Sequence, residues 1–364
     1  VSRNLKKTEN YALWTDDCGP LKEFFEDSDI TEIMVNGPFR IFVEKKGMIK
    51  KTSAQFKNES ELRDLINKIV KASGKEISAE NPCVDTVMPD GSRVNCVIPP
   101  VAVEGPALTI RKFSKKVLNH KQLIANGAMD EKIAYFLSCC ILAKINLIVS
   151  GGTGSGKTTL LNVLSSFIPP HERIVSIEDS PELKLASENW VRLESRPASL
   201  KSKAVNSRDL VINALRMRPD RIIVGECRGP EAIDMLSAMN TGHEGSLSTL
   251  HANSAREALK RLETMILLSG NEMPLKIVRQ HISGALQAIV HVKRDNNGVR
   301  RISEIIEISG MEGETILTQD IFSYDSQKAF VSSGFVPRFV KEFKKHNVNF
   351  PPDFFAGQYT VKNS

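Results

Sequence analysis

Apolar and polar positions follow two different rhythms along this chain. In its first part they alternate one by one, the period of a half-buried strand. Leu108 and Ile110 fall on one face of "ALTIRKF", Thr109 and Arg111 on the other. Val94, Cys96 and Ile98 likewise oppose Arg93 and Asn95. "RIFVEKKGMIKK" reads as a hairpin with Gly47 near its turn, and "VMPDGSRVNCVIPP" as a second with Pro89-Asp90-Gly91 at its turn. Between them, "ESELRDLINKIVKAS" places Leu62, Leu65, Ile66, Ile69 and Val70 at i, i+3, i+4, i+7 and i+8, which predicts an amphipathic helix. Residues 1–112 are therefore expected to form a small α+β domain with a mostly antiparallel sheet.

From about Asn119 the rhythm changes. "INLIVS", "RIVSIE", "NWVRLE", "RIIVG" and "GSLSTL" read as strands, and helical segments such as "TTLLNVLSSF" alternate with them. That alternation predicts a parallel α/β sheet over residues 122–364. Helix ends are legible. Gly229-Pro230 opens one helix and Gly242 follows its close; Ser254 with Glu257 forms a capping box, and Gly270 ends that helix. "FVPRFVKEFKKH" reads as a short amphipathic helix that packs on the domain or a neighbour. The basic stretch "RKFSKKVLNHK" lacks the interleaved aromatics of a single-strand binding groove, so residues 113–121 are expected to be a solvated linker.

Composition narrows the function without naming it. With 364 residues the chain can bury two cores, and 41% hydrophobic with 25% charged residues is an ordinary globular balance. A net charge of +6 is too small for a nucleic-acid footprint over the whole chain. The longest apolar run, "IAYFLSCCILA", is flanked by Lys132 and Lys144 and falls far short of the roughly 20 residues of a spanning helix. No secretory signal is apparent, and the chain begins at Val1, not Met. None of the six cysteines makes a C-x-x-C pair, so neither a zinc module nor a redox motif is indicated, and reduced thiols are expected.

The chemistry begins at Gly151 to Thr158, which fits G-x-x-x-x-G-K-T without mismatch between a strand and a helix. Gly152, Thr153, Gly154, Ser155, Gly156, Lys157, Thr158 and Thr159 are the expected nucleotide contacts. Backbone N–H groups would curl around phosphate oxygens, Lys157 would reach the β- and γ-phosphates, and the Thr158 hydroxyl would sit on Mg2+. Lys157 stands where a dinucleotide fingerprint needs its last glycine, so this is a nucleoside triphosphate site. Hydrolysis also needs carboxylates to hold magnesium and orient water. "SIEDSPEL" supplies Glu178, Asp179 and Glu182 at a strand end. "RIIVGECR" supplies Glu226, with Gly225 in the place of the usual magnesium-binding aspartate. His243 and His251 bracket a strand in "NTGHEGSLSTLHANS", from where they would sense the γ-phosphate or couple its loss to motion. "LLSGNE" at Leu267 to Glu272 is read as helix punctuation, not as a transporter signature.

"GGTGSGKTTLLN", "SIEDSPEL", "RLESRP", "ALRMRPDRIIVGECRGPEAIDMLSAMNTGHEGSLSTLHANS" and "ITEIMVNG" together closely resemble the secretion-superfamily (type II/IV) ATPases. More narrowly they resemble the CpaF/TadA branch, which powers assembly of tight-adherence (Flp-type) pili. The resemblance spans nearly the whole chain, including "GMEGETILTQDIF" and "PRFVKEF", and its "ALRMRPD" block is more specific than the P-loop. It implies a RecA-like P-loop NTPase domain joined by a linker to the N-terminal α+β domain, six subunits in a ring, and nucleotide between the two domains. By position it implies Glu182 as general base, Glu226 as an acid holding Mg2+ through water, and His251 as the His-box residue, preceded by His243. Arg93 and Arg111 resemble N-domain arginines that approach the phosphates; Arg216 and Arg218 lie in the matching block with their role open.

The implied cofactors are ATP and Mg2+. The implied partners are a homo-hexamer and inner-membrane platform proteins, with no direct nucleic acid, in a cytoplasmic location peripheral to the inner membrane. Members of the branch usually carry a longer N-terminal extension, and the absence of a four-cysteine zinc element agrees with it. The function expected is Mg-dependent ATP hydrolysis driving pilus extension, and possibly retraction. The alternatives are a traffic ATPase of a type IV DNA or effector secretion system and, behind it, a nucleic-acid motor of RecA type.

Overall fold

The computed structural model describes residues 18–356 apart from 114–117, 197, 199–202, 271, 326–328, 347, 349 and 352. The chain divides at residues 116 and 117 into two compact units, each with its own core. Part of the expected linker, 114–117, and Asn271 of "LLSGNE" lie outside the described residues.

The N-terminal unit runs α1 (Lys22–Glu26), β1 (Ile30–Asn36), β2 (Ile41–Lys45), β3 (Met48–Lys51), α2 (Glu59–Ala72), β4 (Cys83–Val87), β5 (Arg93–Val97) and β6 (Ala107–Arg111). Among the described residues its strands form one antiparallel sheet in the order β3-β2-β1-β6-β5-β4. Lys46 and Gly47 both take positive φ at the β2–β3 turn, as a type I′ hairpin requires. The helix α2 is capped by the Asn58 side chain, which accepts from the Glu61 N–H at 3.0 Å. It buries Leu62, Leu65, Ile66, Ile69 and Val70 against the sheet's apolar face, the stripe that its spacing predicts.

The C-terminal unit opens with α3 (His120–Ala125) and α4 (Glu131–Leu142). Asn119 and Gln122 make a capping box, so His120 and Lys121, expected in the linker, are the first turn of a helix. There follow β7 (Leu147–Gly151), α5 (Lys157–Ser165), β8 (Ile174–Glu178), β9 (Trp190–Glu194), α6 (Ser207–Ala214), β10 (Arg221–Val224) and α7 (Glu231–Asn240). The unit ends with β11 (Leu247–His251), α8 (Ala255–Leu267), α9 (Leu275–Ala285), β12 (Ala288–Arg294), β13 (Arg300–Glu312), β14 (Thr315–Tyr324), β15 (Phe330–Ser332) and α10 (Val340–Phe343). Its sheet has the order β15-β14-β13-β12-β7-β11-β10-β8-β9. From β12 to β9 the strands are parallel; β7, β8 and β10 are buried along their whole length, as strands covered on both faces must be. Side chains alternate between the two cores: Leu147 and Val149 join one, Ile148 the other.

The parallel sheet was expected; its antiparallel extension through β13, β14 and β15 was not. The connection after β12 is a short turn, too short for the crossover that a parallel partner needs. The C-terminal segment then folds back as an aromatic cluster. Phe136 of α4 lies 5.3 Å from Phe322 and 5.9 Å from Phe355, centroid to centroid. Buried Glu307 anchors this segment by accepting from the backbone N–H groups of Arg338 and Phe339 at 2.5 and 3.3 Å. Among the described residues no helix is long and apolar enough to cross a membrane.

One polar tie locks the sheet edge where β10 and β11 begin. Arg221 is fully buried and forks onto Glu172, Nε to Oε2 at 2.5 Å and Nη2 to Oε1 at 3.1 Å. Its Nη1 donates to the Gly245 carbonyl at 3.3 Å. A Cβ on Gly245 would lie 2.4 Å from that nitrogen, so no other residue fits there. Asn146 completes the edge, accepting from the Gly245 and Ser246 N–H groups at 2.7 and 3.1 Å. Removing one partner of such a buried pair leaves the other charge uncompensated. Glu172→Ala is therefore expected to destabilise the chain by about 3–5 kcal/mol, read as the shift in urea midpoint. A midpoint unchanged by the substitution would show that the pair is not holding this edge.

Candidate active site

The parallel register places the ends of β7, β11, β10 and β8 at one edge, with Gly151 of β7 directly opposite His251 of β11. The loop leaving β7 is the P-loop. Gly154 and Gly156 take φ of +67° and +99°, a region that side chains resist. A Cβ on Gly151 would meet the Val292 carbonyl oxygen at 2.4 Å and Ser155 Oγ at 2.6 Å. Ser155 Oγ donates to the Gly152 carbonyl at 2.8 Å and closes the loop on itself. The helix α5 then starts at Lys157, so the N–H groups of its first turn face the loop's concavity, with Thr158 and Thr159 half-buried beside them.

Lys157 is buried, and its Nζ donates to the Gly152 carbonyl at 3.0 Å. The same nitrogen lies 3.3 Å from His251 Nδ1, while His251 Nε2 lies 2.7 Å from Glu226 Oε1. Burial, and then the neighbouring Lys157 charge, push the imidazole pKa below its usual value and favour the neutral ring. Lys157 Nζ is almost as close to His251 Nε2, at 3.4 Å, so the ring lies against the ammonium group while its Nε2 is in close contact with Glu226. Arg228 closes the chain from the other side, its Nε donating to Glu226 Oε2 at 2.8 Å and its Nη2 to the same oxygen. Lys157, His251, Glu226 and Arg228 thus form one row of close polar contacts across the edge.

The three carboxylates of "SIEDSPEL" have different work. Glu178 is buried, and its Oε2 accepts from the backbone N–H groups of Glu182 and Leu183, both at 2.7 Å. Burial raises its pKa, and those two N–H groups work against the rise. Asp179 Oδ1 accepts from the Ser195 and Ser207 hydroxyls at 2.8 and 3.0 Å, tying the end of β9 to α6. Glu182 is half-buried on the loop that Glu178 holds. The glycine at 225 also has its explanation here. A Cβ at that position would lie 3.0 Å from Glu178 Cγ, so an aspartate would press on the residue that fixes the loop and require it to give by a few tenths of an ångström.

His243 precedes β11, at the edge opposite the P-loop, where its carbonyl accepts from Ser246 Oγ at 2.7 Å. The structure brings His251 to Lys157 and Glu226 and does not bring His243 there. Arg216 and Arg218 lie exposed before β10, on that same opposite side. In the N-terminal unit Arg93 and Arg111 are register partners on β5 and β6, and Arg111 Nε is 4.0 Å from Glu32 Oε1. Three arginines went unnoticed in the sequence. Arg228 stands two residues after Glu226, while Arg294 and Arg300 bracket "DNNGV" and reach the P-loop only through the β12–β13 hairpin.

The model of the family described as Type II/IV secretion system protein matches residues 15–317. The chain belongs to that family. A putative conjugal transfer protein of Mycobacterium tuberculosis is 35% identical over 303 residues, covering 81% of this chain and 86% of its own. The type IV secretion system protein PtlH of Bordetella pertussis is 33% identical over 311 residues, 77% of this chain and 91% of its own. Among solved structures, the Legionella pneumophila ATPase DotB aligns with a TM-score of 0.55 at 23% identity, over 84% of this chain and 80% of its own, a likeness of fold. The C-terminal unit of this secretion-family protein thus has its P-loop at the strand-end edge of a RecA-like fold.

Within this site, Glu178 is a positioning residue for the loop that carries Glu182. Glu178→Ala should lower ATP turnover by about 10²-fold, the usual cost of a misplacement of about 1 Å, with ADP affinity retained. Glu178→Gln, which keeps one acceptor oxygen, should lose less. A wild-type kcat in the alanine variant would remove Glu178 from this role.

Proposed function

We propose that this chain is the Mg·ATP-driven motor of a pilus or secretion machine, working as a hexameric ring at the cytoplasmic face of the inner membrane. The observation that carries the reading is the P-loop lysine and Glu226 joined through His251 at one sheet edge, beside the loop of Glu182. Cradle amides of residues 152–158 and Lys157 would take the β- and γ-phosphates, with Thr159 next along the helix. The donor set fits a hard cation: the Thr158 hydroxyl at the head of α5 and, through water, Glu226. Mg2+ bound there neutralises charge on the phosphate oxygens. Glu182 orients and deprotonates the attacking water. His251, touching both Lys157 and Glu226, registers whether a γ-phosphate lies between them. Arg93 and Arg111 are assigned to the phosphates from the N-terminal unit, and His243 to carrying motion at the far end of β11.

Within the family we favour the tight-adherence (Flp-type) pilus branch. Support comes from the "ALRMRPD" block, "GMEGETILTQDIF" and the "PRFVKEF" tail. The platform proteins of such a machine are the proposed partners, and nucleic acid is not. A second reading is a traffic ATPase of a type IV secretion system, favoured by the names of the Mycobacterium and Bordetella relatives.

ATPase activity per subunit, measured against protein concentration with and without single-stranded DNA, tests the ring. Activity should rise steeply with concentration and ignore DNA. A flat, DNA-stimulated rate would put a nucleic-acid motor first. For the chemistry, Glu182→Gln should keep ATP binding and stop turnover, whereas Lys157→Ala should weaken binding as well; hydrolysis by Glu182→Gln at the wild-type rate would refute the base assignment.

A further inference from the structure

Sheet order separates the surroundings of the P-loop into two sides. β11, β10 and β8 lie on one side of β7 and bring His251, Glu226 and the Glu182 loop. β12 lies on the other, paired in parallel with β7 so that Val292 stands opposite Gly151. β12 carries past this edge to Arg294, turns through residues 295–299, and returns at Arg300 as β13. Asp295 makes the turn rigid. Its Oδ1 accepts from the N–H groups of Asn297 and Val299 at 3.0 and 2.9 Å, and its Oδ2 from Arg301 at 2.7 Å. Arg301 also stacks 4.4 Å over the Tyr324 ring of β14, which ties the hairpin to the next strand.

The other two arginines face the P-loop. Arg300 Nε donates to the Gly154 carbonyl at 2.7 Å, and its Cδ lies 3.4 Å from where a Cβ on Gly156 would be. Arg294 Nη1 lies 3.5 Å from the corresponding point on Gly154. Two guanidinium groups on a braced hairpin therefore flank the loop that cradles phosphates, and a third cation, Lys157, lies within it.

We propose that the β12–β13 hairpin is a nucleotide-binding strap. Arg300 holds the Gly154 peptide so that the loop's N–H groups converge, and Arg294 contacts the α-phosphate and ribose end of the nucleotide. This assignment rests on the ATP-hydrolysis reading. The γ-phosphate must face Glu182 and Glu226, so the remainder of the nucleotide extends toward the β12 side, where these arginines stand. A contact at the α-phosphate is common to ATP, ADP and the transition state. It strengthens binding of each alike and leaves the chemical step without a preference.

The test is a titration of the full chain with fluorescent ADP, alongside ATP steady-state kinetics. Arg294→Ala should raise the ADP Kd and the ATP KM by the same factor, about 10- to 100-fold for a charged hydrogen bond. Arg294→Lys should recover part of the loss. Arg300→Ala should raise both constants too, because the cradle loses its hold. Arg294→Gln is made in parallel, so that misfolding of the alanine variant leaves the measurement standing. An ADP Kd within about twofold of wild type in folded Arg294→Ala and Arg294→Gln would overturn the strap. So would a change confined to ATP, because it would place Arg294 at the γ-phosphate. Lys157→Ala serves as the reference. If the wild-type chain itself fails to bind ADP, the nucleotide reading falls; if it binds and only the Arg294 variants are indifferent, the strap alone falls.

Discussion

Everything at the functional edge depends on the strands of the central sheet sharing a direction and a register. β7 pairs with β11 on one side and β12 on the other, so Gly151, His251 and Val292 stand level. A slip of one residue would turn His251 away from Lys157 and put a side chain where only a glycine fits beside Val292. Burial on both faces leaves this register open, because Leu147, Ile148 and Val149 are all apolar. Contacts at the ends of β7 fix it: Asn146 accepts from the Gly245 and Ser246 N–H groups, and Gly151 lies against the Val292 carbonyl.

On that edge charge is handled in pairs. Lys157 next to a charged histidine would be costly, and a histidine held neutral removes that repulsion while staying in contact with Glu226. Glu226 in turn has Arg228 at its second oxygen. On the proposed function, a phosphate in the cradle would compete for Lys157, and a cation would compete with Arg228 for Glu226, so loading the site would rearrange both sets of contacts.

Most of the architecture was legible because burial writes directly into sequence. The α2 stripe, the alternating strands around Arg93 and Arg111, and the apolar runs of β7, β8 and β10 all obey local periodicity. The P-loop was legible because its glycines answer local backbone demands. Arg300 was not, because its partner Gly154 is 146 residues away and nothing near either residue announces the meeting. The antiparallel extension escaped notice because strand direction is set by the length of a connection, not by the strand's own residues. His243 shows the limit of reading by proximity. It lies eight positions before His251 in number, yet a strand runs between them and carries them to opposite edges.

The packing of Glu178 against Gly225 also bears on how this sequence is free to change. The two positions form a linked pair in substitution space. A side chain at 225 would press on Glu178, and a smaller residue at 178 would surrender the acceptor holding the Glu182 and Leu183 backbone. The cost of filling position 225 is therefore set by what occupies position 178, and substitutions at the two are expected to be non-additive.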